Sequence, residues 1–481
     1  MLKSTLIRQI SCLDKSQFNR FVAFVQSPYH NKHLKVQQLI QLLDHSFPNF
    51  HEKNVARQFL YKKLYPKEAY NETNLKLIFS YTLQLFEKFL MIERFDKKDF
   101  PADLYLLESL REFRQGVRFN NRYRYAMQKL TENPLKNSDY FYQLIQYTNQ
   151  ADIQNASLEH YQKTTFLTNK DKYLNAFYFI EKLKNLCEIK NRQRFMDMEY
   201  QHTWNAHLLD FLQNQPEEYA ENPAITIYLK VYNTIEDAEN TQHYYELIQL
   251  LEQHKDIFPP EELRDIYYYA QNYCIRQINK GNNIFLREVF NLFQHLLSSR
   301  IIFENNILFE WHYKNIASIA LKLKEFDWVK KFIEDYYPSL PQESQHNAYN
   351  FNMATYYYMV LDYNKALDFL NSVEYTDVVY RLDATTLAII IYYDTQQDAL
   401  LLSAVDAFIQ YLKRNKLIAQ SKFNRYYDFA RLVKTTHRIK SQKGLVANEK
   451  TQRSLEKLKL KLSNTPSVVK SNWLKEKINV L

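Results

Sequence analysis

Glycine is nearly missing from this chain. Its 481 residues hold three, Gly116, Gly281 and Gly444, where ordinary usage of about 7% would give roughly thirty. Proline is scarce too, at 12. Sheet proteins need glycine for primed turns and bulges, and α/β folds need it where backbones approach closely. A chain this poor in both residues reads as nearly all helix. The same scarcity excludes chemistry. No two glycines lie within 100 residues of each other, so G-x-G-x-x-G, the Walker phosphate loop and the G-x-S-x-G nucleophile elbow are all absent. Each of those motifs needs backbone that reaches positive φ or comes very close to a phosphate.

Cysteine is the next shortage. Cys12, Cys187 and Cys274 are far apart and form no C-x-x-C pair, which argues against a disulfide framework or a zinc ribbon and suits a reducing compartment. The opening MLKSTLIRQISCLDKSQ has no apolar stretch of signal-peptide length. The most apolar run, LAIIIYY at Leu387–Tyr393, is far short of the roughly 20 residues a membrane helix needs. These features together place the expected location in the cytoplasm, with no membrane partner.

What is present in quantity is ordinary hydrophobic content, 46%, with 24% charged residues, so a packed core is expected. Tyrosine (39) and phenylalanine (32) are abundant. They read first as filling for helix interfaces and only second as a stacking surface for bases.

Periodicity divides the chain into four regions. Residues 1–96 read as a helical bundle. KSQFNRFVAFVQ places Phe18, Phe21, Val22 and Val25 on one face, LKVQQLIQLLDHSF repeats this with Val36, Leu39, Ile40 and Leu43, and NETNLKLIFSYTLQLFEKFLMIERF starts at an Asn71 cap. Residues 97–222 carry longer helices, among them KYLNAFYFIEKLKNLCEIKNRQRF. Residues 223–412 are repetitive. In FNMATYYYMVLDYNKALDFLNSV, Ala354 and Tyr357 sit one turn apart on a first helix, and Tyr363, Ala366 and Leu370 lie on a second after the break LDYN. Upstream, Ala317, Ala320, Phe326, Val329 and Ile333 superpose on this set with a shift of 37 residues; downstream, Ala388 and Ile391 match Ala354 and Tyr357 with a shift of 34. A small residue on the first helix lets the second approach closely, and each pair leaves an apolar face for the next.

This pattern resembles the tetratricopeptide repeat over about residues 304–412, and more loosely over 224–300. The resemblance implies a right-handed α-solenoid of helix pairs following the N-terminal bundle. The family's tryptophan in the first helix is missing, and its glycine before the aromatic is missing or replaced by alanine. By the family's geometry, first helices line a concave groove, which would be formed here by Trp311, Lys314, Ser318 and Lys322 from one repeat and Phe351, Thr355 and Tyr358 from the next. Aromatic anchors among lysines would suit an extended peptide carrying acidic groups.

The last region, 413–481, changes character. It holds 18 Lys/Arg against 4 Asp/Glu, a net of +14, while the whole chain carries +9. The basicity is therefore local. Arg425, Lys434, Arg438, Lys440, Lys443, Arg453, Lys457, Lys459 and Lys461 could neutralise phosphates, or form a solvated basic face on a helical cap. SKFNRYYDFARLVKTTHRI keeps an apolar face, and SNWLKEKINVL is expected to fold back through Trp473, Leu474 and Ile478.

Metal and catalytic signals are thin. His30 and His33 have a workable spacing but no accompanying ligand, His202 and His207 point to different faces, and Glu343 with His346 is a solitary E-x-x-H. No cofactor or metal site is nominated. The reading is a non-catalytic scaffold for an unidentified protein or peptide. A nucleic-acid-associated regulator, using the basic tail or the N-terminal bundle, comes second, and an enzyme third.

Overall fold

A computed structural model describes residues 4–51, 53–156, 165–193, 203–374, 378–415, 418–442, 448–465 and 468–481. The fold is all-α: among the described residues every regular element is helical, apart from one isolated bridge between Glu304 and Ile307. The chain divides into two compact units, residues 1–182 and 183–481.

Unit 1 opens with α1 (Thr5–Ile10), α2 (Lys15–Gln26), α3 (Leu34–Asp44), α4 (Arg57–Leu64) and α5 (Glu72–Phe95). These five share one apolar core running from Leu6 to Phe89. Local signals set their starts. The Asp14 side chain accepts the Gln17 N–H while the Gln17 side chain accepts the Asp14 N–H, a capping box, and Asn71 caps α5 through the Asn74 N–H. Then follow α6 (Asp99–Glu112), α7 (Gly116–Glu132) and α8 (Ser138–Ala156), three mutually packed helices. There the buried Asp103 carboxylate takes Arg122 and the Tyr147 hydroxyl. The division between the units falls within α9 (Phe166–Gln193).

Unit 2 continues with α10 (Thr203–Asn214), α11 (Pro223–Glu236), α12 (Gln242–His254), α13 (Pro260–Asn279), α14 (Ile284–Ser298), α15 (Glu310–Lys322), α16 (Phe326–Tyr336), α17 (Gln345–Met359), α18 (Tyr363–Asn371), α19 (Val378–Asp394) and α20 (Asp398–Arg414). These last ten pack as five consecutive hairpins. Each second helix also touches the first helix of the following pair, and α11 packs on α13, α15 on α17, and α17 on α19. Alanine sets the spacing: Ala317, Ala320, Ala354 and Ala366 are all fully buried at these contacts.

Four of the hairpins close with the same turn. Gly281, Lys324, Leu361 and Gln396 each take the left-handed conformation. The next residue in each case returns its N–H five residues back: Asn282 to Gln277 O, Glu325 to Ala320 O, Asp362 to Tyr357 O and Gln397 to Tyr392 O, at 2.9 to 3.0 Å. This is the hydrogen bond of the Schellman motif, which satisfies carbonyls that the helix end leaves open. The turns also fix the repeat register. Lys324 to Leu361 spans 37 residues, as the sequence pattern suggested, but Leu361 to Gln396 spans 35, not the 34 taken from the alanines. The counterpart of Ala354 is thus the fully buried Ile389, and Ala388 is only half-buried. A one-residue slip turns a helix by about 100°, so both registers keep much of the apolar face and the sequence alone could not separate them.

Beyond the hairpins lie α21 (Gln420–Gln442), α22 (Asn448–Ser463) and α23 (Ser471–Asn479). They share one core with α19 and α20, in which Phe429, Val433, Leu458, Leu474 and Ile478 are buried and Trp473 is packed alongside. The expected fold-back of the last helix is observed.

Only one of the four turns uses the residue best suited to it. Leu361 holds φ 65° with its side chain 69% exposed, so it bears a left-handed backbone with little burial in return. Leu361→Gly should raise the stability of the protein by about 0.5–1 kcal/mol, read as a higher urea midpoint at unchanged slope. Gly281→Ala should lower it by a similar amount, since Gly281 sits at φ 95° with open space where a Cβ would go.

Candidate functional site

The first helix of a pair buries one face and leaves the other less covered. In α13, Leu263, Ile266, Tyr267, Ala270, Tyr273 and Cys274 are buried at helical spacing. Asp265, Tyr268, Tyr269 and Asn272 therefore fall on the opposite side. Pro260 at the first position and Glu261 and Glu262 in the first turn favour the helix start. In α15 the same logic buries Tyr313, Ile316, Ala317 and Ala320 and turns out Trp311, Asn315, Ser318 and Lys322.

These outward faces, with the last turns of α9, bound a cleft of about 680 Å³. Its chemistry comes from two carboxylates, Glu188 and Asp265, four aromatic rings, Tyr268, Tyr269, Phe293 and Trp311, and the amides of Asn191, Gln271, Asn272 and Asn315. The Tyr269 hydroxyl donates to Glu188 Oε2 at 3.1 Å, and Arg192 holds the other oxygen. The Tyr268 hydroxyl pairs with His312 Nε2 at 2.9 Å, and the Trp311 ring lies against the same imidazole. Beneath them Glu262, nearly buried, accepts the Tyr228 hydroxyl at 2.6 Å and pairs with Lys184 at 3.1 Å. Arg264 is held by Glu304 at 2.9 Å. Burial pushes the Tyr268 hydroxyl up to about 12. Asp265 is open to solvent over much of its surface, yet the covered part of its carboxyl is enough to raise its pKa; burial leads, Arg264 and Lys184 oppose it, and Glu262 and Glu188 add to it.

The remaining groove positions read from the sequence are placed differently. Lys314 crosses to α19 and forms an ion pair with Asp383, its ammonium 5.1 Å from the centre of the Phe351 ring. Phe351 is 8% exposed and acts as an internal wall. The Thr355 hydroxyl donates to the Phe351 carbonyl in its own helix. The Tyr358 hydroxyl donates to Asp394 at 3.0 Å. That carboxylate also accepts the Trp473 indole N–H at 3.3 Å and carries the Lys477 ammonium 2.8 Å from its other oxygen, as an ion contact. Ser318 and Lys322 are exposed. Of the seven, the cleft includes Trp311 alone. Sequence reasoning missed Glu188, Asp265 and Asn315.

The basic positions also divide. Lys434 pairs with Asp406, and the Lys440 ammonium lies 5.2 Å from the Tyr393 ring centre. Arg453 stands 4.0 Å from Glu449. Lys434 and Arg438 line a hollow of about 500 Å³ with Arg431 and His437, where His437 meets Asp398 at 2.9 Å. Arg425, Arg438, Lys457, Lys459 and Lys461 are exposed. Lys443 lies outside the described residues.

No cluster of three or more metal-ligating side chains occurs among the described residues. His30 stacks on Phe24, and His346 meets the Ser372 carbonyl at 3.0 Å. No described helix is long and apolar enough to cross a membrane. No known protein family, curated protein or solved structure matches this chain.

His312 gives the cleft wall a pH signature. The side chain is 1% exposed, and burial, helped by Arg264, lowers its pKa to about 3. The unfolded chain protonates this ring near its ordinary value of about 6.5, whereas the folded protein holds it neutral. The unfolded state thus binds more protons between those values, and stability must fall as pH drops through that window. The unfolding free energy should decline from about pH 6.5 downward by up to a few kcal/mol, read as a falling urea midpoint. His312→Gln, which retains an acceptor for Tyr268, should show a shallower acid limb than the parent.

Proposed function

We propose that this protein is a non-catalytic scaffold of the cytoplasm whose helix pairs form a right-handed α-solenoid resembling tetratricopeptide repeats, and that it binds an extended protein segment along the face made by the first helices. Support for the arrangement comes from the repeated hairpins, their common turn and the buried alanines. Three free thiols are compatible with a reducing compartment.

The observation that carries the binding reading is the contrast along that face. Around Phe351, Thr355 and Tyr358 the side chains are used by internal contacts. Around Trp311 they border open space, with an aromatic anchor 47% exposed beside unoccupied amides. Exposed aromatics backed by rigid helices, with hydrogen-bonding groups at the rim, are the usual makings of a binding hot spot. The second reading, contact with nucleic acid, draws on exposed Arg438, Lys457, Lys459 and Lys461.

The two readings differ in salt response. A protein partner captured by the full chain should survive high salt and be lost on Trp311→Ala, with Lys457→Glu/Lys461→Glu neutral. Nucleic acid that leaves steeply as salt rises, and that is lost on the lysine changes but kept on Trp311→Ala, would replace the scaffold reading with the regulator.

A further inference from the structure

We infer that the cleft between α9, α13 and α15 is a receptor for the guanidinium of an arginine carried in an extended peptide segment. This rests on the binding reading above and gives its partner a chemistry.

The sign of charge is the first argument. Glu188 and Asp265 border the cleft, and the nearest cations are already engaged: Lys184 by Glu262 at 3.1 Å and Arg264 by Glu304 at 2.9 Å. Glu188 is shared between Arg192 and Tyr269. Asp265 forms no hydrogen bond or ion pair among the described residues, and burial raises its pKa even though Arg264 and Lys184 act to lower it. A ligand cation would give this carboxylate a direct partner, and an acidic side chain would add repulsion.

Shape selects among cations. Trp311 and Tyr268 stand 5.9 Å apart between ring centres, tilted by 52°, with Tyr269 one residue further along α13. A planar guanidinium can lie against an aromatic face while its edge forks to a carboxylate, whereas an ammonium offers a compact point charge and no flat face. Arginine therefore fits this combination of aromatic wall and carboxylate better than lysine.

The independent observation is Gln271. Its side chain is 7% exposed and borders the cleft, and its Nε2 donates to no acceptor. A buried donor left unsatisfied is costly and uncommon. With a turn of the Gln271 side chain toward the cleft, a peptide backbone carbonyl can accept from this amide, so the cleft suits a cationic side chain and a carbonyl together. An arginine within a polypeptide supplies both, and a free metal ion or a simple amine supplies no carbonyl.

The test is titration of the full chain, by intrinsic fluorescence and by NMR of the peptide, with blocked pentapeptides Ala-Ala-X-Ala-Ala at millimolar concentration. X is arginine, its uncharged isostere citrulline, lysine or glutamate. The arginine peptide should bind about tenfold more tightly than the citrulline peptide and more tightly than the lysine one, since charge-assisted hydrogen bonds are about twice as strong as neutral ones. Asp265→Asn should remove that preference for arginine over citrulline, and Glu188→Gln should reduce it, with unchanged far-UV circular dichroism. Equal binding of arginine and citrulline, or a preference untouched by Asp265→Asn, overturns the inference. A preference for the glutamate peptide that is lost on Trp311→Ala also overturns it but leaves the peptide-binding reading standing. If none of the four peptides binds, both fall.

Discussion

The unit of this architecture is a helix hairpin, and four of the five hairpins close on one hydrogen bond: the N–H that returns across the turn to the carbonyl five residues upstream. The last carbonyls of a helix have no intrahelical donor, so a chain that reverses tightly must supply one from the turn itself. That requires a residue at positive φ. A sequence with three glycines cannot provide glycine each time, and Lys324, Leu361 and Gln396 accept the strained conformation instead. The strain is tolerated because the two helices it joins are fastened elsewhere, by the packing of α15 on α16 and of α17 on α18, where Ala320, Val329, Ile333, Ala354, Ala366 and Leu370 are buried. Close approach of backbones is obtained from alanine within the helices, which leaves glycine dispensable almost everywhere else.

Stacking hairpins leaves the last one with an uncovered apolar face. The structure covers it with α21, α22 and α23 and uses α19 as the tie. Two aspartates on α19 take the polar load. Asp383 receives Lys314 and the Tyr426 hydroxyl, the latter at 2.7 Å, and Asp394 receives Tyr358, Trp473 and Lys477. Ion pairs this covered contribute little net stability, because desolvation offsets attraction, but an unpaired partner would be costly. They therefore specify where the cap sits more than how tightly it holds. They also account for part of the local charge: Lys477 is used inward and Lys434 on Asp406, so the tail's net of +14 overstates what it offers to solvent.

How far the sequence could be read follows from the range of each contact. Helix identity was legible from spacing within a dozen residues: Phe18, Phe21 and Val25 on one face of α2, Asn71 at the start of α5, Leu474 and Ile478 inward on α23. The repeat was legible where alanine marks it and slipped by one residue where Ile389 replaces alanine. The cleft was legible at one residue. Trp311 announces itself as an aromatic on a polar face, but its partners Glu188 and Asp265 come from helices that begin more than forty residues upstream, and nothing in the local pattern of α9 or α13 connects them. Lys314 and Phe351 show the converse failure. Each has the right position on its helix for a groove, but the lysine lies over the Phe351 ring and pairs with Asp383, 69 residues away from it.

The abundance of tyrosine gains a function in this light. A glycine-free helix cannot present backbone N–H groups to a ligand, because all but those of its first turn are spent along the axis. Polar reach across a helix interface must then come from side chains that are long, stiff and partly apolar. Tyrosine meets that need with few rotatable bonds. Its hydroxyls orient Glu262 through Tyr228, Glu188 through Tyr269, His312 through Tyr268, Asp383 through Tyr426 and Asp394 through Tyr358. In each case burial raises the phenol's pKa and keeps it a donor. Where the paired group is enclosed by its partners, as Asp394 is by Tyr358, Trp473 and Lys477, the result is a joint. Where hydrogen-bonding capacity remains beside open space, as around Glu188 and Asp265, the same construction leaves polar groups facing the cleft.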